Sequence, residues 1–211
     1  MKAAANPVSD WFFYEKECAE RGFSAVCGID EAGRGPLAGP VCAAAVILPV
    51  GEHIEGLNDS KKLSEKKREL LFDVITGTAI SYSIAYATVE EIDRLNILQA
   101  TFLAMRRAVC GLSAAADFAL IDGDKSPGLD IPAAAIVGGD GKCESIAAAS
   151  VLAKVARDHY MSEIAAEYPQ YNFAKHKGYG TAEHKKLILE HGACPIHRRL
   201  FLRNILAERQ A

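Results

Sequence analysis

The dipeptide Asp30–Glu31, at the end of the apolar run Val26-Cys27-Gly28-Ile29, constrains this chain more than any other feature. Adjacent carboxylates repel, and a fold tolerates them most readily where a cation neutralises the pair. Residues 24–30 read as a strand, and neighbours on a regular strand point to opposite faces. The pair therefore serves one site if the strand stops there, if a bulge intervenes, or if Glu31 acts through its backbone carbonyl. The sequence favours a strand end, because Gly33 and Gly35 follow at once. Arg34 between them puts a cation and bare backbone N–H groups where an anion could approach. Metal-holding acids beside such a loop point to phosphoryl chemistry.

A dinucleotide-binding reading of Gly33-Arg-Gly-Pro-Leu-Ala-Gly39 fails on spacing. The glycines run G-x-G-x-x-x-G, and a proline and a strand follow where a phosphate-capping helix is required. No Gly-Lys-Ser/Thr follows either, which excludes a Walker loop.

At 211 residues the chain suffices for one domain with a full core, or a core with a small appendage. No apolar stretch approaches the ~18–20 residues of a membrane span, and the N-terminus lacks the apolar segment of a signal peptide. A cytoplasmic location is expected. The six cysteines form no C-x-x-C pair, so free thiols are expected rather than a zinc site or disulfide framework. The net charge of −3 argues against a generic nucleic-acid coat. Its distribution is more informative. Residues 1–150 carry 14 Lys+Arg against 21 Asp+Glu, and residues 151–211 carry 10 against 6. A basic C-terminal portion beside an acidic site suits a nuclease of modest net charge.

Periodicity predicts a short amphipathic helix over 9–21, strands over 24–30, 40–48 and 79–87, and a helix capped by Ser64. Thr88-Val-Glu-Glu91 is a capping box opening one long helix to Gly111. Strands at 117–122 and 131–137 follow. Helices are expected from about Glu144 to Ala166 and over 181–191 and 197–209. The expected fold class is α/β, with a mixed five-stranded sheet flanked by helices and a helical C-terminal appendage. The expected division is a core over 1–170 and a basic helical segment over 171–211.

Two further acids stand at element ends. Asp122 closes Phe118-Ala-Leu-Ile121, and Asp140 follows Val137-Gly-Gly139 and precedes a helix. Hard divalent cations take oxygen ligands, and two of them could activate a water and stabilise a leaving oxygen. Asp124 and Asp130 read as turn residues. Lys175-His-Lys177-Gly-Tyr179-Gly offers positive charge for phosphate and a ring for a base or sugar.

Taken together the motifs resemble bacterial ribonuclease HII, the type 2 ribonuclease H. They are Gly28-Ile-Asp-Glu-Ala-Gly-Arg-Gly-Pro-Leu-Ala-Gly-Pro40, Leu57-Asn-Asp-Ser-Lys-Lys-Leu-Ser64, Glu91-Ile-Asp-Arg-Leu-Asn-Ile-Leu98, Leu120-Ile-Asp-Gly123, Gly138-Gly-Asp-Gly-Lys142, Ser145 to Asp158, His176-Lys-Gly-Tyr-Gly-Thr181 and His197-Arg-Arg199. The resemblance implies a ribonuclease H-like fold. It implies cleavage of the RNA strand of RNA–DNA hybrids and incision 5′ of single ribonucleotides embedded in duplex DNA, leaving 3′-hydroxyl and 5′-phosphate ends. Mg²⁺ or Mn²⁺ would be the cofactor and Asp30, Glu31, Asp122 and Asp140 the metal-binding catalytic acids. Gly33, Arg34 and Gly35 would read the ribose 2′-OH through the backbone, which distinguishes RNA from DNA. Tyr179 would stack on the sugar at the junction, and Lys61, Lys62 and Lys177 would serve phosphates. The partners would be hybrids and ribonucleotide-containing DNA, with a monomer as the default and no membrane.

Three positions depart from the family pattern: Asp124 adds charge near the metals, Ala156 replaces a threonine, and Leu200 replaces a serine. The competing readings are a structure-specific DNA nuclease of the same fold, resolvase- or integrase-like, and a non-catalytic hybrid-binding module. The second would require the loss of an acid, and all four are present.

Overall fold

A computed structural model describes residues 10–207. Its centre is a five-stranded sheet in the order β3-β2-β1-β4-β5. β1 (Val26–Ala32), β2 (Val41–Ile47) and β3 (Ser81–Ala87) form an antiparallel meander, while β4 (Phe118–Asp122) and β5 (Ala133–Ile136) run parallel to β1. The sheet is mixed, as the alternation of sequence patterns implies. The helices are α1 (Phe13–Glu20), α2 (Glu65–Thr78), α3 (Val89–Leu95), α4 (Ile97–Cys110), α5 (Glu144–Ile164), α6 (Phe173–His176), α7 (Ala182–His191) and α8 (Arg199–Ala207). Ser9 and residues 208–209, the ends of two expected helices, lie outside the described residues.

β2 is buried along its whole length, because both faces of the sheet are covered. Cys42, Ala44 and Val46 join α2 and α5 on one face, and Val41, Ala43, Ala45 and Ile47 join α4 on the other. α5 lies very close to the sheet. A Cβ on Gly28 would sit 2.1 Å from the Ser145 carbonyl carbon, so only glycine admits the first turn of α5 against β1. The alanines Ala147, Ala148, Ala149 and Ala153 continue this close approach.

The N-terminus of α5 is capped from a distance. Cys143, its N-cap residue, makes no side-chain cap bond. Instead buried Glu15 of α1 accepts from the Ser145 N–H at 3.1 Å and the Ser145 hydroxyl at 2.7 Å. A carboxylate there is favoured by the helix dipole and by unpaired N–H groups. The 3-10 turn Gly139–Gly141, which carries Asp140, lies immediately before α5.

One expected helix is two. The capping box at Thr88 and Glu91 forms as anticipated, but the helix breaks at Asn96, whose φ is +72°. Its side chain accepts from the Gln99 N–H at 3.1 Å and caps α4. The apolar spacing runs through the break, so periodicity alone hid it; asparagine tolerates positive φ better than other non-glycine residues.

Residues 173–207 pack as α6, α7 and α8 around Tyr171, Phe173, Ile188 and Leu202, with Leu37, Ala38 and Met161 joining from the rest of the chain. Inside this cluster the imidazoles of His176, His184 and His197 meet, with ring centres 4.3 Å apart for the first pair and 5.2 Å for the second. The His184 Nδ1–H donates to the Tyr179 carbonyl at 2.9 Å, and the Cys194 N–H donates to His197 Nδ1 at 2.9 Å. His197 Nε2 then carries the proton and donates to His184 Nε2 at 3.0 Å. Burial lowers both His184 and His197 to about 4.

An unfolded chain binds protons at these histidines below about 6.5, and the folded chain refuses them until about 4. The stability contributed by the neutral pair is therefore full above pH 6.5 and lost as pH falls toward 4. We expect the urea midpoint to drop between pH 7 and pH 5, and to drop less in His184→Gln. Equal pH slopes in the two proteins would contradict the assignment.

Candidate active site

The parallel pairing of β1 with β4 ends at Ile29 opposite Ile121. The next residues, Asp30 and Asp122, thus flank a gap where the two strands part. β1 does not stop at Asp30, as the sequence suggests. It continues to Ala32, held by regular antiparallel pairing of Asp30, Glu31 and Ala32 with Ala44, Ala43 and Cys42. The expected strand end is corrected accordingly: the acids lie on opposite faces of a continuous strand. Asp30 shares the α5 face with Gly28 and interacts with the Ser150 hydroxyl. Glu31 shares the other face with Ile29 and lines a cavity of about 150 Å³ with Leu98, Phe102, Met105 and Asp122. Glu31 lines its cavity together with Asp122 and its charge acts on Asp30, but it stands outside the trio Asp30, Asp122 and Asp140 whose oxygens share one space.

Asp122 is fixed by the Gly139 N–H, which donates to its Oδ1 at 2.7 Å. That bond brings the Gly139–Gly141 turn, and with it Asp140, to the end of β4. Gly138 makes the turn with φ +65°. Asp30, Asp122 and Asp140 each then offer an oxygen within 4.8 Å of the others. Ser60 joins Ser150 through a 2.8 Å hydroxyl contact and carries the 3-10 turn Ser60–Lys62 to the same place. The Lys61 ammonium stands 3.5 Å from Asp140 Oδ2. Lys62 is 3.9 Å from Asp59 and largely exposed.

The electrostatics match a cation site. Burial, then the charges of Glu31 and Asp122, hold the Asp30 carboxyl well above the usual range. Burial also raises Glu31; Arg34 opposes the shift and Asp122 reinforces it. Burial and Asp122 raise Asp140, with Lys61 in partial opposition. Lys61 is itself raised: burial would lower it, but Asp30, Asp140 and Asp59 outweigh burial. Three buried or half-buried oxygen donors sharing one space, with the Asp122 charge raising both Asp30 and Asp140, fit a hard divalent cation.

Behind this gap lies the loop 33–40, built on two buried guanidiniums. Arg157 and Arg198 are each 0 % exposed. Arg157 donates to the carbonyls of Pro40, Ala38 and Lys177, each at 3.1 Å. Arg198 donates to Gly39 at 2.9 Å, Arg34 at 2.9 Å, Gly33 at 2.6 Å and Pro40 at 3.2 Å. The Leu37 and Gly39 N–H groups pair with Gly178 and Ile196. Those of Gly33, Arg34 and Gly35 make no bond among the described residues.

The two glycines flanking Arg34 differ. Gly33 has φ +93°, and a Cβ there would lie 2.0 Å from Arg157 Nε, so the fold itself demands glycine. A Cβ on Gly35 would meet nothing within 4 Å and its φ is ordinary. Tyr179 is 42 % exposed, with the Arg157 guanidinium 5.8 Å and the Lys154 ammonium 5.9 Å from its ring centre. The Lys177 ammonium is turned onto Ser162 Oγ at 2.6 Å. The Arg34 guanidinium is half-exposed, 3.4 Å from Glu31.

The sequence profile of ribonuclease HII matches residues 27–204. The chain belongs to the ribonuclease HII family. It is a ribonuclease H, an endonuclease, and its family is divalent-metal dependent. It is 62% identical over 176 residues to ribonuclease HII of Dechloromonas aromatica (strain RCB), covering 83% of this chain and 90% of the relative. It is 52% identical over 197 residues to ribonuclease HII of Caldicellulosiruptor saccharolyticus, covering 93% and 96%. Among solved structures, the ribonuclease H2 from Pyrococcus horikoshii OT3 superposes with a TM-score of 0.73 at 27% identity, covering 89% of this chain and 99% of that one. Bst-RNase HIII, solved with Mn²⁺, shares the fold at a TM-score of 0.68 and 16% identity, covering 88% and 70%.

Sequence reasoning missed several parts of this site in the ribonuclease. Arg157 and Arg198 lay inside recognised motifs without a role; their signal was the pairing of such motifs with a glycine loop. Ser150 and Gly139, which fix Asp30 and Asp122, carried no signal of their own. Of the departures, Ala156 packs on an apolar cluster, the Leu200 N–H donates to Asp93 at 3.2 Å, and Asp124 is exposed at the cavity rim.

Because the folded state raises the carboxyl of Asp30, its contribution is favourable at low pH and lost as pH rises through the folded value. We expect Asp30→Asn to raise the melting temperature of the metal-free enzyme at pH 8 by roughly 2–4 °C, the shift that about 1 kcal/mol produces at this size. The gain should shrink at pH 4.5. Added Mn²⁺ should stabilise wild type more than the variant. Destabilisation by Asp30→Asn in EDTA at pH 8 would contradict this electrostatic account.

Proposed function

We propose that this ribonuclease cleaves the RNA strand of RNA–DNA hybrids and incises 5′ of single ribonucleotides in duplex DNA, leaving 3′-hydroxyl and 5′-phosphate ends. The observation that carries this reading is one juxtaposition. An oxygen cluster at the β1–β4 gap accompanies a loop in which six carbonyls accept from Arg157 and Arg198, while the N–H groups of Gly33, Arg34 and Gly35 make no bond among the described residues.

Asp30, Asp122 and Asp140 would hold divalent cations, Mg²⁺ or Mn²⁺, with Glu31 completing the set from the opposite face of β1. When bound, a pair of such ions supplies activation of the attacking water and stabilisation of the leaving oxygen. The chain's own part is positional. The N–H groups of Gly33, Arg34 and Gly35 donate to a ribose 2′-OH, for which a deoxyribose has no counterpart. Gly35 gives the sugar room to reach them. The exposed ring of Tyr179 stacks on the sugar at the junction. Lys61, Lys62 and Lys177 provide positive charge for phosphates, and the basic C-terminal segment extends it along the duplex. A bound cation favours the charged carboxylates that burial disfavours at Asp30 and Asp140.

A duplex with one embedded ribonucleotide tests this directly. With Mg²⁺ or Mn²⁺ the expected product is a single nick 5′ of that residue, with none in EDTA and none when it is replaced by deoxyribonucleotide. Asp30→Asn and Asp122→Asn should lower kcat by on the order of 10³ or more, about 4 kcal/mol of barrier. Nicking of the all-DNA control at a comparable rate would favour a structure-specific DNA nuclease instead. Gly35→Ala should keep the wild-type melting temperature within about 1 °C, since its Cβ meets nothing, and yet lose binding preference for the ribonucleotide. Full retention of that preference would remove Gly35 from the contact.

A further inference from the structure

We propose that Arg157 and Arg198 are positioning residues that set ribonucleotide selectivity, by holding the loop 33–40 and Tyr179 in one rigid frame. The proposal rests on the reading of that loop as the ribose contact.

Five loop carbonyls, those of Gly33, Arg34, Ala38, Gly39 and Pro40, accept from the two guanidiniums. The Leu37 carbonyl accepts from the Arg198 backbone N–H at 2.9 Å. A peptide plane whose carbonyl points inward turns the next residue's N–H outward, because the two are trans across a planar bond. Fixing the Gly33 and Arg34 carbonyls on Arg198 therefore aims the N–H groups of Arg34 and Gly35 at the substrate side. Arg157 extends the frame. It bonds the Lys177 carbonyl as well as the loop, and its guanidinium lies 5.8 Å from the Tyr179 ring centre. One buried group thus registers the backbone donors against the stacking ring.

The arrangement is costly for stability alone. Two like charges share one interior, and their partners are neutral carbonyls; neighbouring Asp158 is engaged by Lys154 and Arg68. Interior cations without a counter-ion are unfavourable unless every donor is well placed. A planar fork that reaches several carbonyls at once has no lysine equivalent. The Gly33 backbone is shaped around it, since a Cβ there would overlap Arg157 Nε.

The test compares wild type with Arg157→Lys and Arg198→Lys, which keep the charge and lose the fork. Affinities are measured in Ca²⁺, without turnover, for a duplex carrying one ribonucleotide and for the matched all-DNA duplex. We expect the ratio of the two Kd values to fall at least fivefold in each variant, with the all-DNA Kd unchanged within threefold. In a Gly35→Ala background, Arg198→Lys should lower the ratio no further, because both act through the same loop. Folded lysine variants that keep the wild-type ratio overturn the proposal. So does failure of both to fold, which would make the guanidiniums elements of stability. A wild-type enzyme that shows no preference for the ribonucleotide instead refutes the reading of the loop on which the proposal rests.

Discussion

Two guanidiniums buried among backbone carbonyls organise this molecule. Arg157 reaches the loop 33–40 from α5, and Arg198 reaches it from just before α8. The loop joins β1 to β2, so the strand that carries Asp30 and Glu31 is tied at its exit to both the longest helix and the C-terminal segment. Desolvation lowers Arg157, and burial with the neighbouring Arg157 charge lowers Arg198 to about 9. Neither would be tolerated without the carbonyls around it. The loop and the cations are in that sense one structure: the glycines permit the carbonyls to converge, and the convergence admits the charges.

The carboxylate gap obeys a complementary logic. Like charges are gathered where the strands part, and their mutual repulsion is left for a cation to relieve. Carbonyl dipoles inside and carboxylates at the gap thus place opposite electrostatic demands a few residues apart. The elements meeting there are all rigid: a central strand, the end of β4, a turn bonded to it and a helix start capped by Glu15. A site assembled on such elements is more exact than one on mobile loops.

Much of this was legible in the sequence. The β2 run of small and apolar residues, the Thr88–Glu91 capping box and the alanine-rich α5 each state their own structure, because local propensity and burial agree. Asp122 at the end of β4 was legible for the same reason. Asn96 was not, since an apolar stripe continues across the break it makes. The strand continuation to Ala32 was not legible either: register with β2 decides it, and register is non-local. Arg157 and Arg198 were hidden most deeply. Their partners are carbonyls, which every residue has, and they sit more than a hundred positions from the loop they hold.

The central claim is that the leading N–H groups of the loop read a ribose while its carbonyls hold the arginines. Backbone amide resonances of Gly33, Arg34 and Gly35 test it most directly, in a titration with a duplex carrying one ribonucleotide and with its all-DNA match in Ca²⁺. The expected result is large shifts at these three amides with the ribonucleotide and much smaller ones without it, while amides along β2 stay in place. Equal shifts with both duplexes, or none at residues 33–35, would contradict it.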